Sequence, residues 1–373
     1  MEERKRVVLP VERDQKPCYS IVLEESFERL ADEMEALGVA ERKICIVTDS
    51  QVGPLYGRMV EQKLLKVCKK VILYTIEAGE EHKTLDTVRG IYERLISEHF
   101  DRKDLLVALG GGVVGDLTGF TAATYLRGIR FVQLPTTLLA QVDSSIGGKT
   151  GVDFQCYKNM VGAFHMPSLV YMNLSALKTL SERQFASGMA EILKHGLIRN
   201  ATYYTWLLEH AEAICRREYA VLLPMIEESC KIKRAVVEAD PTEQGERALL
   251  NFGHTMGHAV EKLKDFRLLH GECVAIGIAA AGFLSWRRGL LKKEELEEIL
   301  RGLRLFSLPV GTDGLEAERV VETTRLDKKM EAGSIKFILL RSVGEAFVDH
   351  TVTEEELMDA ASYLLGKDIK TYE

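Results

Sequence analysis

A chain of 373 residues, 46% of them apolar and 28% charged, is long enough for two domains with sizeable cores. Its formal net charge of −7, with both signs mixed along the sequence, argues against a nucleic-acid partner or an anionic membrane surface. Seven scattered cysteines with no C-x-x-C spacing argue against a disulfide frame or a cysteine zinc site and point to a reducing, cytoplasmic setting.

The first residues are charged without a long apolar run, so no signal peptide is expected. The longest apolar run, 273–286, is too short and too broken by glycine to cross a bilayer. Residues 6–10 and 19–23 read as β-strands. Residues 25–37 read as a helix, with Phe27, Leu30, Ala31, Met34 and Leu37 at helical spacing. The strand at 43–48 ends beside Asp49, where open α/β sheets place ligands; this aspartate would serve a ribose or adenine, or only a turn. A helix at 55–68 and a strand at 71–76 lead to the polar loop AGEEHK at 78–83. There Glu80 and Lys83 would hold hydroxyls and a phosphate, unless the loop is merely solvated. A helix at 84–98 follows.

The strand at 104–109 runs into Gly110, Gly112 and Gly115, a G-x-G-x-x-G, and then a helix at 113–126. Glycines let backbone approach a phosphate, and a helix N-terminus offers free N–H groups and a positive dipole end. The acidic residue that ordinarily grips a ribose about 20 residues later is missing; Arg127 and Arg130 stand there instead. A turn needed only for packing therefore stays open. After the strand at 129–134, Thr136 and Thr137 can cap the next helix and offer hydroxyls. The stretch DSSIGGKT at 143–150 nearly matches a P-loop but begins with Asp143 and follows no strand, which excludes that nucleotide-binding motif. Lys149, and Lys158 with Asn159 after a loop at 154–157, can still meet a phosphate as polar contacts. Residues 167–172 form the last strand of this half.

From about Ser181 helical periodicity dominates, at 182–198, 203–217, 222–238, 248–263, 271–286 and 293–303. A weak hairpin, 334–341 with 345–349, and a final helix, 354–365, complete the chain. The expected architecture is an α/β nucleotide-binding (Rossmann-like) domain over 1–180, then a mainly α-helical metal- and substrate-binding domain over 181–373. His254 and His258 lie at i and i+4, hence on one helix face, and His270 opens the next helix. Three histidines so close, with Glu191 on the helix SGMAEILKHG and Lys194 one turn on, suggest a divalent metal with an open position. Spacing leaves open whether His254 and His258 are both ligands.

The segments AGEEHK, GGGVVGD, RGIRFVQLPTTLLAQVDSSIGGKTGVD, KNMVGAFHMPSLV, SGMAEILKHG, GERALLNFGHTMGHAVE, HGECVAIG and LDKKMEAGSIKF, in this order, resemble the 3-dehydroquinate synthase family. The resemblance covers nearly the whole chain. It implies cyclisation of 3-deoxy-D-arabino-heptulosonate 7-phosphate to 3-dehydroquinate with loss of phosphate, using NAD and zinc or cobalt. It implies metal ligands at Glu191, His254 and His270, with His258 in the substrate pocket. The implied NAD contacts fall on Asp49, Gly79, Glu80, Lys83, Gly111, Gly112, Val113, Gly115, Asp116, Thr136, Thr137 and Thr179, with Lys149 and Lys158 beside them. Lys149, Asn159, Asn251, His258 and the Lys328–Lys329 pair match phosphate-side positions. Lys194, Lys233 and Arg247 match residues around the substrate's carboxylate and hydroxyls, and Asp116 and Asp143 line the family's cleft. Arg127 matches an arginine that reaches a neighbouring subunit, implying a homodimer. The chain departs from the family at Asp153, where asparagine is commoner, at 154–157, which lacks a usual glycine, and at Ser181, which replaces a common proline. Related readings are another sugar phosphate cyclase, an NAD-dependent polyol dehydrogenase and a non-catalytic NAD-binding regulator.

Overall fold

The run Leu105–Gly110 is buried at every position, as a strand covered on both faces must be. It is β5, an interior strand of a seven-stranded sheet in the computed structural model, which describes residues 6–155, 157–241, 245–328 and 336–366. The elements before it are β1 (Arg6–Arg13), β2 (Lys16–Glu24), α1 (Leu30–Ala36), β3 (Lys43–Asp49), α2 (Arg58–Leu64), β4 (Lys70–Ile76) and α3 (Leu85–Ser97). After it come α4 (Gly112–Thr124), β6 (Arg130–Pro135), β7 (Lys149–Phe154), β8 (Tyr157–Phe164) and β9 (Leu169–Asn173). The sheet order is β1-β2-β9-β6-β5-β3-β4, with β1 antiparallel to β2 and the other pairings parallel.

Alternation along β3 shows why helices cover both faces. Cys45 and Val47 join the core under α3 and α4, with Val88, Ile91, Leu95, Leu117 and Phe120. Ile44 and Ile46 point the other way and pack with Leu30 and Met34 of α1 and Val60 and Leu64 of α2. Successive strands β4 and β5 add to opposite sides of β3, so the order reverses at β3. The carboxyl ends of β3 and β5 flank that reversal, the usual ligand crevice of such sheets.

The chain forms two compact units. One holds the described residues up to Leu180 together with Leu222–Arg234, and the other holds Ser181–Val221 and the described residues from Ala235 onward. The expected second domain over 181–373 thus lacks a piece. The helix α8 (Tyr219–Ala239) gives its middle to the first unit, where Lys233 bonds Asp143, the Cys230 thiol donates to the Gln141 carbonyl and Arg234 donates to the Pro10 carbonyl. The second unit has α5 (Glu182–Arg199), α6 (Ala201–Glu209), α7 (Ala211–Cys215), α9 (His254–Leu263), α10 (His270–Arg287), α11 (Lys293–Leu305), α12 (Ala317–Lys328), a hairpin of β10 (Phe337–Ser342) with β11 (Glu345–Asp349), and α13 (Glu354–Leu364).

Four expected helices come out shorter or broken. The one at 25–37 is helical only as α1, the one at 55–68 is α2 preceded by a wider turn over Gly53–Gly57 and ends at Leu64, the one at 203–217 divides into α6 and α7, and the one at 248–263 breaks at Gly253 (φ 81°) between a 3-10 turn and α9. The hairpin of β7 and β8 and the helix α12 were not expected. Among the described residues no helix is long and apolar enough to cross a membrane.

Candidate active site

In the first unit the glycine turn is a matter of space. A Cβ on Gly115 would lie 2.7 Å from the Gln133 side-chain oxygen, and one on Gly112 would lie 3.2 Å from Ser144 Oγ. Side chains there would push α4 off β6, so the turn serves packing whatever else it does. The helix start still leaves backbone N–H groups at Gly111, Gly112 and Val113 facing the sheet's carboxyl end. Asp49 Oδ1 accepts from the N–H groups of Gln51 (2.9 Å) and Val52 (2.8 Å), so the turn role is real. Ser50 does not cap its own turn; its hydroxyl accepts from Ala78 N–H and ties the end of β3 to the chain after β4. Thr137 Oγ1 accepts from Ala140 N–H and caps the next turn, while the buried Thr136 Oγ1 has no partner. Thr179 pairs with the Tyr56 hydroxyl.

The loop at 78–83 is not merely solvated. Gly79 holds φ 135°, open only to glycine, and Lys83 turns inward until 4% of it is exposed. Its ammonium donates to Asp116 Oδ2 at 2.7 Å and to Asn159 Oδ1 at 2.6 Å, and lies 3.9 Å from Glu80. Burial draws this lysine's pKa down, but Asp116 and Glu80 outweigh it and hold the pKa above the ordinary value. Burial keeps the Asp116 carboxyl above its own ordinary range despite the ammonium beside it. Lys158 adds a 3.8 Å ion pair to Glu80. Asp153 Oδ1 accepts from Asn159 N–H at 2.8 Å, and Asp153 N–H donates to the Lys83 carbonyl, so the departure at 153 sits inside this network. The structure therefore gathers Glu80, Lys83, Asp116, Lys158 and Asn159. Lys149 starts β7 and is exposed, after Gly147 (φ 100°) and Gly148 (φ 66°), so it does not sit at a helix N-terminus as a P-loop lysine would. Lys233 pairs with Asp143, bonding its carbonyl at 2.5 Å and its carboxylate. Arg127 is exposed, in a run of positive φ at Leu126, Arg127 and Gly128.

In the second unit glycines bring three helices together. A Cβ on Gly277 would lie 1.7 Å from the Gly253 carbonyl oxygen, and one on Gly257 would lie 2.6 Å from that of Cys273. These contacts seat α9 on α10, and Gly271 against Ser187 seats α10 on α5. The consequence is that ligand atoms of Glu191, His254 and His270 lie within 4.8 Å of one another. His254 Nδ1 faces the Phe252 carbonyl at 3.2 Å, which places its proton there and leaves Nε2 as a lone pair, 3.9 Å from Glu191. His270 Nε2 is 3.8 Å from the same oxygen, too far for a hydrogen bond. Glu191 is fully buried and neither oxygen accepts a hydrogen bond; Lys194 lies beside it as an ion pair without hydrogen-bond geometry. Burial pushes the carboxyl's pKa up, but Lys194 and the two imidazoles hold it well below the ordinary value, as an anion. Burial, with Lys194 nearby, holds His254 well below its ordinary value, as neutral imidazole. A buried carboxylate with unmet acceptors facing neutral imidazole suits a divalent cation.

His258 lies with its ring 5.0 Å from that of His254, and a second group, His258, Glu261 and His270, also brings ligand atoms within 4.8 Å. Arg247 is buried and donates to the Pro241 carbonyl at 2.8 Å; Asn251 ends the 3-10 turn before Gly253. Lys328 ends α12 with its side chain outside the described residues, and Lys329 lies outside them altogether. Sequence gives no role to Arg183, Ser187 or Glu272, which tie the start of α10 to α5; the one signal was a glutamate three residues after Leu269, placed to accept from its N–H at the helix start.

Residues 73–187 match the family model 3-dehydroquinate synthase N-terminal, and 188–330 match 3-dehydroquinate synthase C-terminal. The chain belongs to the 3-dehydroquinate synthase family. It is 44% identical over 316 residues to a 3-dehydroquinate synthase of Ruminiclostridium cellulolyticum, covering 85% of this chain and 88% of that one. It is 45% identical over 322 residues to one of Halorhodospira halophila, covering 86% and 90%. Its fold is similar to that of 2-epi-5-epi-valiolone synthase from Streptomyces hygroscopicus subsp. jinggangensis, solved with NAD+ and Zn2+ bound, at 29% identity and TM-score 0.87 over 95% of this chain and 99% of that one. As a member of the family the chain is an enzyme.

Proposed function

We propose that this enzyme converts 3-deoxy-D-arabino-heptulosonate 7-phosphate to 3-dehydroquinate and phosphate, with NAD held on the first unit and zinc or cobalt held by Glu191, His254 and His270 on the second. The observation that supports it most directly is the buried, unsatisfied Glu191 carboxylate facing His254, in a chain whose relatives bear that enzyme's name. When bound, NAD supplies a hydride acceptor restored within each turnover, and the metal a Lewis acid for carbinol oxygens.

The chain's own residues bind and orient. Lys194, with Lys233 and Arg247, suits the substrate's carboxylate and hydroxyls. Lys149, Lys158, Asn159 and Asn251 suit the phosphate, with His258 beside the trio to move a proton; Lys328 or Lys329 joins them. Held geometry of this kind lowers a barrier by as much as roughly 7–11 kcal/mol. Asp49, Gly79, Glu80, Lys83, Asp116, Thr136, Thr137 and Thr179 would hold the dinucleotide, and Gly111, Gly112, Val113 and Gly115 at the start of α4 would receive its pyrophosphate. The enzyme acts as a homodimer in the cytoplasm, with exposed Arg127 serving the neighbouring subunit's phosphate.

The test is direct. Purified enzyme, metal, substrate and catalytic NAD should yield 3-dehydroquinate and phosphate without net NADH. Accumulating NADH would instead favour a polyol dehydrogenase. Turnover of only a substrate lacking the carboxylate would favour another cyclase, the reading nearest the valiolone synthase likeness.

A further inference from the structure

Glu191 lies deep in α5, while His270 is the first residue of α10, so their separation depends on how the two helix starts are held. Arg183, Ser187 and Glu191 recur every four residues and thus share one face of α5. Opposite that face come Glu272, Gly271 and His270 in turn. At the outer rung Arg183 Nε and Nη2 each donate to a separate oxygen of Glu272 at 2.7 Å, and Nη2 also donates to the Arg267 carbonyl at 3.1 Å. At the middle rung Gly271 N–H donates to Ser187 Oγ at 3.0 Å, and a Cβ on Gly271 would lie 1.9 Å from the Ser187 carbonyl oxygen. The inner rung is the ligand pair itself.

Glu272 has a second bond. Its Oε2 accepts from Leu269 N–H at 2.7 Å, closing the first turn of the helix that His270 begins. One carboxylate therefore fixes both the start of α10 and its rotation on α5.

We propose that Arg183 and Glu272 are positioning residues for the metal trio: their two-pronged pair sets the place of His270 relative to Glu191. The proposal rests on the metal reading above. The Arg183 side chain is 55% exposed, so its replacement is expected to leave the unit folded.

The test titrates Co2+ into metal-free protein against a competing chelator and records the cobalt absorption band. Arg183→Gln should weaken Co2+ binding roughly 10- to 100-fold and change the band, the range seen for residues that orient metal ligands. Arg183→Lys, which keeps the charge but not the planar fork, should fall between. Glu272→Gln, which retains an acceptor for Leu269 N–H, should weaken binding as Arg183→Gln does. Arg216→Gln breaks a comparably exposed ion pair on the same unit and should leave affinity and band unchanged. Folded Arg183→Gln protein with wild-type affinity and band overturns the proposal and reduces the pair to a surface contact. Wild-type protein that binds no Co2+ overturns the metal reading, and the proposal with it.

Discussion

Glu191 and Lys83 are both buried charges, but the structure treats them differently. Lys83 is met by hydrogen bonds from its ammonium to Asp116 and Asn159, whereas Glu191 has the Lys194 ion pair but accepts no hydrogen bond. Glu191→Gln removes the charge and keeps the shape. It should lower metal affinity by more than about 100-fold, beyond the loss typical of residues that only orient ligands, while NAD binding measured by calorimetry stays intact. Unchanged zinc content after dialysis of this variant would remove Glu191 from the ligand set. Lys83→Met leaves the Asp116 carboxylate buried without its cation, which should cost about 3–5 kcal/mol of stability at pH 7 by urea unfolding. The sign of the pH dependence follows from the raised lysine pKa. The ammonium's contribution is complete below the unfolded lysine value of about 10.4 and fades as pH rises through the higher folded value. Wild type and variant should therefore converge in stability in strong alkali, and again in acid once Asp116 is protonated.

Helices α5, α9 and α10 owe their closeness to glycine, and the trio owes its spacing to the helices. Gly277→Ala would drive a Cβ into the Gly253 carbonyl. We expect a stability loss of about 1–3 kcal/mol or more from overpacking, with weaker metal binding as α9 shifts, checked by thermal unfolding and cobalt titration. Wild-type metal affinity in that variant would show that α9 spacing is unimportant. The sequence discloses much at this scale. Buried β5, alternating β3 and the α/β rhythm are legible because burial on both faces or on one imposes its own pattern. The hairpin of β7 and β8 is not, because Gly151 and Gly162 face each other in it and its alternation is blurred by Lys149, Lys158 and Asn159. What shapes it is packing on α4, where a Cβ on Gly119 would lie 2.4 Å from the Thr150 methyl. In α12, AERVVETTRLDK has too few apolar residues to announce a helix. The proposed metal trio is only half legible in the sequence. Histidines at i and i+4 mark a metal-like face, but the preference for His254 over His258 rests on the family resemblance, and the geometry offers a second group through His258.

The molecule as a whole carries a formal net charge of −7, and the proposed substrate is itself an anion with a phosphate and a carboxylate. The global field therefore opposes capture, and any attraction must come from nearby cations. Several are already neutralised: Lys83 by Asp116, Lys194 by Glu191, Lys233 by Asp143. Exposed Lys149 and Arg127, with part-exposed Lys158 beside Glu80, are the cations proposed to meet the phosphate. Salt at 0.1 M screens beyond about 10 Å, so it weakens the distant repulsion before it weakens contact with these three. The Michaelis constant should accordingly fall or stay level as salt rises from low values to about 0.1 M. It should climb as the screening length shrinks toward about 3 Å near 1 M, while kcat changes little because the bound substrate is already shielded. Lys149→Gln should flatten the rising limb and raise KM by roughly tenfold, the loss of one charge-assisted contact of about 1.5 kcal/mol. Steady-state kinetics across that salt range decide the matter. A KM that rises steeply from the lowest salt would mean that attraction outweighs the net charge at long range, and a salt-independent KM in both proteins would remove Lys149 from the phosphate site.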